Sequence, residues 1–277
     1  MRQCQCQIER TGRMQCADVD LYDDLRVALL RNELFVVYQP IVDLASHVVV
    51  SHEALVRWRH PTRGLIMPGS FIELAERTGL VLAITTTVLE KVCGMLKTRS
   101  GRGLQAPVSV NLSAACLKAG GVPDLVCSVL GRFGVASNQL ILEITETAML
   151  ESSNHVVDQI EALRVMGVEI VMDDFGTGYS SLVNLWRFPI TGLKIDRSFS
   201  ENIPHDERMC AIVTSIIEIA RKLELSVVVE GVENKQQAHW IRQFPNVLAQ
   251  GYLFGKPKDA VPQLPQSEVA AQIRTLG

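Results

Sequence analysis

Val168-Glu169-Ile170-Val171-Met172-Asp173-Asp174-Phe175-Gly176-Thr177-Gly178-Tyr179-Ser180-Ser181 opens as a short apolar run and ends in two adjacent carboxylates and a loop with two glycines. An apolar run of this length, bounded by turn residues, reads as a buried strand. Two acids at the mouth of such a strand cost free energy unless something pairs with them. One or two divalent cations would meet that need. The plainer alternative is a turn whose Asp caps the next helix.

The same pattern recurs on both sides of this stretch. Val108 to Val110 reads as a strand ended by Asn111, and Leu140 to Ile144 as one carrying Glu143 and leading to Glu146. Gly192 to Ile195 carries Lys194 and ends in Asp196; Val227 to Val229 ends in Glu230; Val247 to Ala249 ends in Gln250. Helical stretches separate these runs: Leu80 to Lys97, Leu125 to Phe133, Asn154 to Met166, Cys210 to Leu223 and Lys235 to Phe244. Strand–helix alternation implies a parallel sheet. Close to eight strands in roughly 250 residues favours a closed (β/α)8 barrel over an open doubly wound sheet. In a barrel the polar strand ends converge on one mouth, where active sites are built.

The N-terminal part breaks the alternation. Asp20 reads as the cap of a helix carrying Leu21, Leu25, Ala28 and Leu29 on one face. Phe35 to Tyr38, ending at Gln39-Pro40, and Val48 to Trp58 read as a hairpin across the turn Asp43 to His47, so one strand runs against the others. Glu53 and Arg57 lie on one face of the second strand, facing a polar cavity or forming a cross-strand ion pair. Pro68-Gly69-Ser70 reads as a helix start, with Ser70 and Glu73 at capping-box spacing and Gly79 as the stop.

Composition narrows the function classes. The chain has 277 residues, 47% of them hydrophobic, which suits one large domain. Its 27 Lys+Arg nearly balance 30 Asp+Glu, and a net charge of -3 argues against a surface made to coat nucleic acid or an anionic membrane. No apolar run reaches the length of a membrane helix, and Met1 to Asp20 lacks the core of a secretory signal. Seven cysteines at irregular spacing suggest reduced thiols and a cytoplasmic protein. Cys4, Cys6 and Cys16 lack an obvious fourth metal ligand. Residues 1–19 read as a leader or linker, 20–265 as the working domain and 266–277 as a tail.

Glu53, Asn111, Glu143, Asp173, Asp174 and Glu230, gathered at one mouth, would offer five carboxylates and an amide oxygen. These hard donors suit two magnesium or manganese ions rather than zinc. Two such ions clamp the attacking and leaving oxygens of a phosphoryl displacement. With Lys194 and Arg57 counted in, the loaded site carries one net positive charge and favours an anion such as a phosphodiester. Lys194 would orient or deprotonate a water at the metals, or form a salt bridge to Asp173 or Glu230, or both. Arg57 offers a donor fork for a phosphate oxygen. Taken alone, Glu146 reads as a helix-start acid and Asn111 as a turn residue.

Eight motifs then carry a resemblance. They are Tyr38-Gln39-Pro40-Ile41, Glu53-Ala54-Leu55-Val56-Arg57-Trp58, Val110-Asn111-Leu112-Ser113 and Glu143-Ile144-Thr145-Glu146, followed by Asp173 through Ser181, Leu193-Lys194-Ile195-Asp196, Glu230-Gly231-Val232-Glu233 and Gln250-Gly251-Tyr252-Leu253-Phe254. Over roughly residues 20 to 260 the chain resembles the EAL domain family of cyclic di-GMP phosphodiesterases. The resemblance implies an α/β fold, a modified (β/α)8 TIM-like barrel with the first barrel strand antiparallel. It implies hydrolysis of cyclic di-GMP to pGpG with two Mg2+ or Mn2+ ions, and a homodimer; Ca2+, with its longer and looser coordination, should inhibit such a site. Glu53, Asn111, Glu143 and Asp173 would hold one ion, and Asp173, Asp174 and Glu230 the other. Lys194 would hold the nucleophilic water, with Glu230 the competing general base. Gln39 and Arg57 would position substrate, and Gln250 would support the water or second metal. Glu146 would steady the loop from Asp174 to Ser181 and link the metals to the dimer interface. Ser51-His52 before Glu53 and Val229 before Glu230 depart from the family's usual small residues. A non-catalytic receptor or a protein-interaction module of the same fold are the competing readings. Intact ligand positions favour catalysis.

Overall fold

The computed structural model describes residues 16–100, 106–150, 153–177 and 182–259. Cys4, Cys6, most of the leader, the far end of the loop after Asp174 and the C-terminal tail lie outside them.

Helix α1 (Cys16–Arg31) leads into the hairpin of β1 (Leu34–Asp43) and β2 (Val48–His60), and a short β3 (Gly64–Ile66) adds to the end of β2. Then come α2 (Ile72–Thr78) and α3 (Val81–Ser100), β4 (Val108–Asn111), α4 (Ala114–Ala119) and α5 (Val122–Phe133), β5 (Leu140–Thr145), α6 (Glu146–Leu150) and α7 (Asn154–Val165). The chain continues with β6 (Glu169–Phe175), α8 (Leu182–Arg187), β7 (Gly192–Ile195), α9 (Arg197–Ser200), α10 (Glu207–Lys222), β8 (Ser226–Val229), α11 (Lys235–Ile241) and β9 (Val247–Gln250).

β2, β4, β5, β6, β7, β8 and β9 pair in parallel in that order. β1 closes the ring by pairing antiparallel with both β2 and β9. The expected closed barrel with one reversed strand is therefore the fold.

Alternation along the strands sorts the side chains. Val108, Val110, Leu140, Leu142, Ile144, Ile170, Met172, Leu193, Ile195, Val227 and Val229 belong to one apolar cluster under the helices. Residues of opposite parity, such as Ile141, Val171 and Val228, are buried but stand apart from that cluster, inside the barrel. Asn111, Glu143, Asp173 and Lys194 share that inner parity. Burying the outer faces of eight strands supplies the apolar drive that lets the inner face carry charge.

Several local expectations need correction. α1 begins at Cys16, so Asp20 lies within the helix and does not cap it. β1 does not stop at Gln39-Pro40 but continues to Asp43. Tyr38 exchanges backbone bonds with Lys258, while Ile41 is the first β1 residue paired with β9. Pro40 faces the gap between those pairings, where its missing N–H costs no ladder bond. Ser70 ends a 3-10 turn, and Phe71, fully buried, takes the N-cap of α2 without a side-chain bond. Gly79 does end α2 in the left-handed region. α11 stops at Ile241, short of Phe244.

Gly251 follows β9 where two backbones nearly touch. A Cβ there would lie 2.0 Å from the Val232 carbonyl oxygen and 2.4 Å from its nitrogen. Gly251→Ala should therefore cost about 1–3 kcal/mol of folding free energy. An unchanged midpoint in chemical denaturation would contradict this close approach.

Candidate active site

Lys194, on β7, has an ammonium 1% exposed as a side chain. Its Nζ lies 2.6 Å from Glu230, 3.2 Å from Glu143, 3.2 Å from Asp173 and 3.3 Å from Glu53. Both salt-bridge partners expected from the sequence are present, with two more. An ammonium has three N–H donors, so it cannot bond all four acids at once. Burial alone would lower the Lys194 pKa, but the four carboxylates outweigh it and hold the pKa well above the ordinary range.

Glu53 is the most heavily bonded acid. It accepts from Asn111 Nδ2 at 2.9 Å, Gln250 Nε2 at 2.6 Å and Lys194. Burial pushes its pKa up, but Lys194, Gln250 and Asn111 together pull it below the usual carboxylate range. Glu143 shifts the other way: burial and the charges of Glu53 and Asp173 raise it well above normal despite Lys194.

Asp173 and Asp174 are adjacent, so in a regular strand they would face opposite sides. A bulge prevents this. Met172 pairs with Leu193 and Phe175 with Ile195, so the two aspartates together stand opposite Lys194. Asp174 takes a left-handed φ of 54°, uncommon for a non-glycine residue, and its amide donates to Asp173 Oδ1 at 3.0 Å. Oxygen atoms of Asp173, Asp174 and Glu230 can all lie within 4.8 Å of one another. Burial, then Asp173 and Asp196, push Asp174 up to about 6; burial, with Asp173 and Glu53 adding to it, pushes Glu230 up to about 7. Hard oxygen donors with surplus negative charge fit a divalent cation.

The remaining expected residues divide. Gln39 is buried on β1, accepts from Gln250 at 3.3 Å and donates to the Gly255 carbonyl. Gln250 Oε1 is buried without a hydrogen-bond partner. Arg57 donates to the Val56 carbonyl and lies near Glu53 and Tyr252; burial lowers its pKa. Glu146, 1% exposed at the start of α6, accepts from the Gly176 amide at 3.0 Å. Gly176 has φ +100° and would drive a Cβ to 2.4 Å from Phe199, so the anchored turn requires glycine. Asp196 caps α9 through the Ser198 amide and makes no bond to Lys194, though its charge still reaches Asp174.

One feature had no sequence signal. A cavity of about 570 Å³ opens beside Asn111, lined in part by Leu55, Pro68, Ile72, Glu76, Ser113 and Thr145. Ser113 donates to Glu76 at 2.7 Å at its rim. Leu55 shares a strand face with Glu53 and Arg57, but Glu76 arrives on α2, whose spacing reads as an ordinary surface helix.

The chain is thus a closed barrel with one reversed strand, carrying five acids and a buried lysine at its mouth. Residues 22–257 match the EAL domain family, and the chain belongs to it. It is 42% identical over 241 residues to the cyclic di-GMP phosphodiesterase NbdA of Pseudomonas aeruginosa, an alignment covering 87% of this chain and 31% of NbdA. It is 40% identical over 243 residues to MucR of the same organism, a bifunctional diguanylate cyclase/cyclic di-GMP phosphodiesterase, covering 87% of this chain and 36% of MucR. The chain thus spans about a third of the length of these relatives. The solved MucR phosphodiesterase, in complex with c-di-GMP, superposes with a TM-score of 0.81 over 86% of this chain and 97% of that one. Among the described residues no helix is long and apolar enough to cross a membrane.

The raised pKa values of Asp174 and Glu230 make a pH prediction. A cation must displace the protons these acids hold. Mn2+ affinity should therefore fall as pH drops through 7 and then 6, with proton release on binding near pH 6.5. Titration calorimetry in buffers of different ionisation enthalpy measures that release; none at pH 6.5 would contradict the assignment.

Proposed function

We propose that this chain hydrolyses cyclic di-GMP to linear pGpG, using two magnesium or manganese ions. The observation that carries this reading is the convergence of Glu53, Glu143, Asp173 and Glu230 on Lys194 at the barrel mouth, with Asp174 opposite the same lysine. The named activity of NbdA and the ligand in the MucR structure support the substrate. The cavity beside Asn111 falls in the usual size range for small-molecule sites and would take one guanosine end.

Asp173, Asp174 and Glu230 would hold one ion; Glu53, Asn111, Glu143 and Asp173 would hold the other. When bound, the ions supply Lewis acidity and ease deprotonation of water. Lys194, whose ammonium lies among four carboxylates, would donate to the attacking water and orient it. Glu230 would be the base that takes the proton from that water. The water oxygen would form a bond to phosphorus as the P–O bond to the 3′ oxygen breaks, and that oxygen would take up a proton and leave as the 3′-hydroxyl within linear pGpG. Gln250 Oε1 is the free acceptor that would hold the water or the second ion in place. Arg57 and Gln39 position the phosphodiester.

The loop after Asp174 belongs to the same proposal. Glu146 fixes its first turn through Gly176, two residues beyond Asp174. Trp186, 82% exposed on α8 just after the loop, supports a homodimer interface on that side.

Purified protein with Mg2+ should linearise cyclic di-GMP, as read by mass spectrometry of the product. Binding without pGpG in either metal would instead establish a receptor. Lys194→Ala and Asp173→Asn should each lower turnover by roughly 10²-fold or more; wild-type rates would sink the mechanism. Glu146→Ala should lower activity while Mn2+ still binds. Ca2+ should inhibit, because its longer and looser coordination suits a tight two-ion site poorly.

A further inference from the structure

A second cavity, of about 480 Å³, opens on the flank of the barrel. Its lining is Pro204, Lys235, Gln236, His239, Trp240 and Gln243, and among the described residues no carboxylate joins it. Pro204 belongs to the turn between α9 and α10; the others lie on α11 or just past its end. None of them belongs to the mouth. The volume falls within the range of small-molecule sites.

The two walls are locked to each other. Gln237, 3% exposed, donates to the Ser200 carbonyl at 2.8 Å and accepts from the amides of Glu233 and Asn234 at 2.8 and 3.1 Å. That one side chain ties the end of α9 to the start of α11. The backbones beside it nearly touch: a Cβ on Gly231 would lie 2.5 Å from Arg197 Cβ. Ile203 is buried and anchors the residue before Pro204 in the core. Buried contacts therefore hold the cavity in shape.

The lining has a chemical order. Lys235, His239 and Gln243 follow one another at intervals of four residues, and Gln236 and Trp240 form the neighbouring row. Lys235 supplies a cation and His239 ring nitrogens. Trp240 meets Phe244 edge-on, with centroids 5.0 Å apart, and faces the cavity together with Pro204 from the other wall. His205 Nε2 lies 3.1 Å from Gln236 Oε1, so the Gln236 amide nitrogen remains to donate. An aromatic wall, a cation and two amides, without a carboxylate, suit an anion that carries a flat heterocycle.

We propose that this cavity binds a nucleoside monophosphate, apart from the catalytic mouth. The base lies against Trp240 and Pro204. The phosphate takes Lys235 and His239. Gln236 and Gln243 bond the polar edge of the base, which a plain aromatic carboxylate lacks. The turn of Pro204 follows the strand of Lys194, and α11 follows the strand ended by Glu230, so the occupant stands behind both strand ends.

The test uses the indole N–H signals of the full chain without added metal, titrated with AMP. The chain has three tryptophans, and Trp240→Phe assigns the signal of Trp240. If that variant does not fold, Trp186→Phe, at a residue 82% exposed, and slow exchange of fully buried Trp58 identify the other two signals. The expected result is a dose-dependent shift of the Trp240 signal with that of Trp58 unmoved. Lys235→Glu, at an exposed position, should raise the half-saturating AMP concentration roughly tenfold or more. Inorganic phosphate and benzoate should each be at least roughly tenfold weaker than AMP. A Trp240 signal unmoved by millimolar AMP would overturn the proposal. So would a shift that Lys235→Glu leaves intact and Arg57→Ala abolishes, which would assign AMP to the mouth. Equal potency of phosphate or of benzoate would leave a site for any anion or any aromatic acid, and either overturns the nucleotide. No readout involves hydrolysis, so failure here is distinct from failure of the phosphodiesterase reading.

Discussion

The ammonium of Lys194 is the constraint on which the mouth depends. Carboxylates from β2, β5 and β6 and the residue after β8 meet it within 3.3 Å. Those acids lie far apart in sequence, and only a closed barrel brings four strands to one inward point. Without Lys194 the like charges would repel across the lumen. Without the carboxylates a fully buried lysine would lose its proton. Each makes the other tolerable, and neither removes the surplus of negative charge.

The backbone arranges that surplus. The bulge in β6 turns two consecutive aspartates toward one lysine, which regular pleating forbids. The reversed β1 places Gln39 directly opposite Glu53, and its pairing with β9 brings Gln250 beside both. The two amides then bond each other and Glu53. This explains why Glu53 alone among the shifted mouth acids has its pKa lowered: it has amide donors as well as the lysine. Glu230 and Asp174, closer to solvent, have fewer donors and hold protons more strongly.

What the sequence discloses follows from what is local. Strand periods, and the polar residue ending each strand, are properties of a few neighbours, so the barrel and its mouth acids are legible. The left-handed φ of Asp174 is not, because it accompanies the irregular pairing of β6 with β7, a partner distant in sequence. Ser70 has the right spacing for a cap, yet burying Phe71 decides where α2 starts. Asp196 ends a strand as the mouth acids do, but its carboxylate caps α9 and does not meet Lys194. Pro40 looks like a strand terminator, and only the gap between the Lys258 and β9 pairings shows why β1 passes through it. Glu76 and the cavity it lines arise from packing between α2 and the barrel rim, for which spacing offers no sign.

The charge balance also orders events at the mouth. Among the described residues, Glu53, Glu143, Asp173, Asp174 and Glu230 face two nearby cations, Lys194 and Arg57. Fully ionised, the group carries three surplus negative charges, concentrated where dielectric screening is weak. On the proposed reading a cyclic dinucleotide brings two more on its phosphodiesters, and the cation-free mouth would repel it. Two divalent ions would turn the surplus to one positive charge and reverse the sign of the interaction. Part of the surplus is meanwhile held down by protons on Glu230 and Asp174, whose raised pKa values lie close to neutral. Cations and protons would thus compete for the same carboxylates, and on the proposed reading an anionic substrate would bind well only after the cations have won.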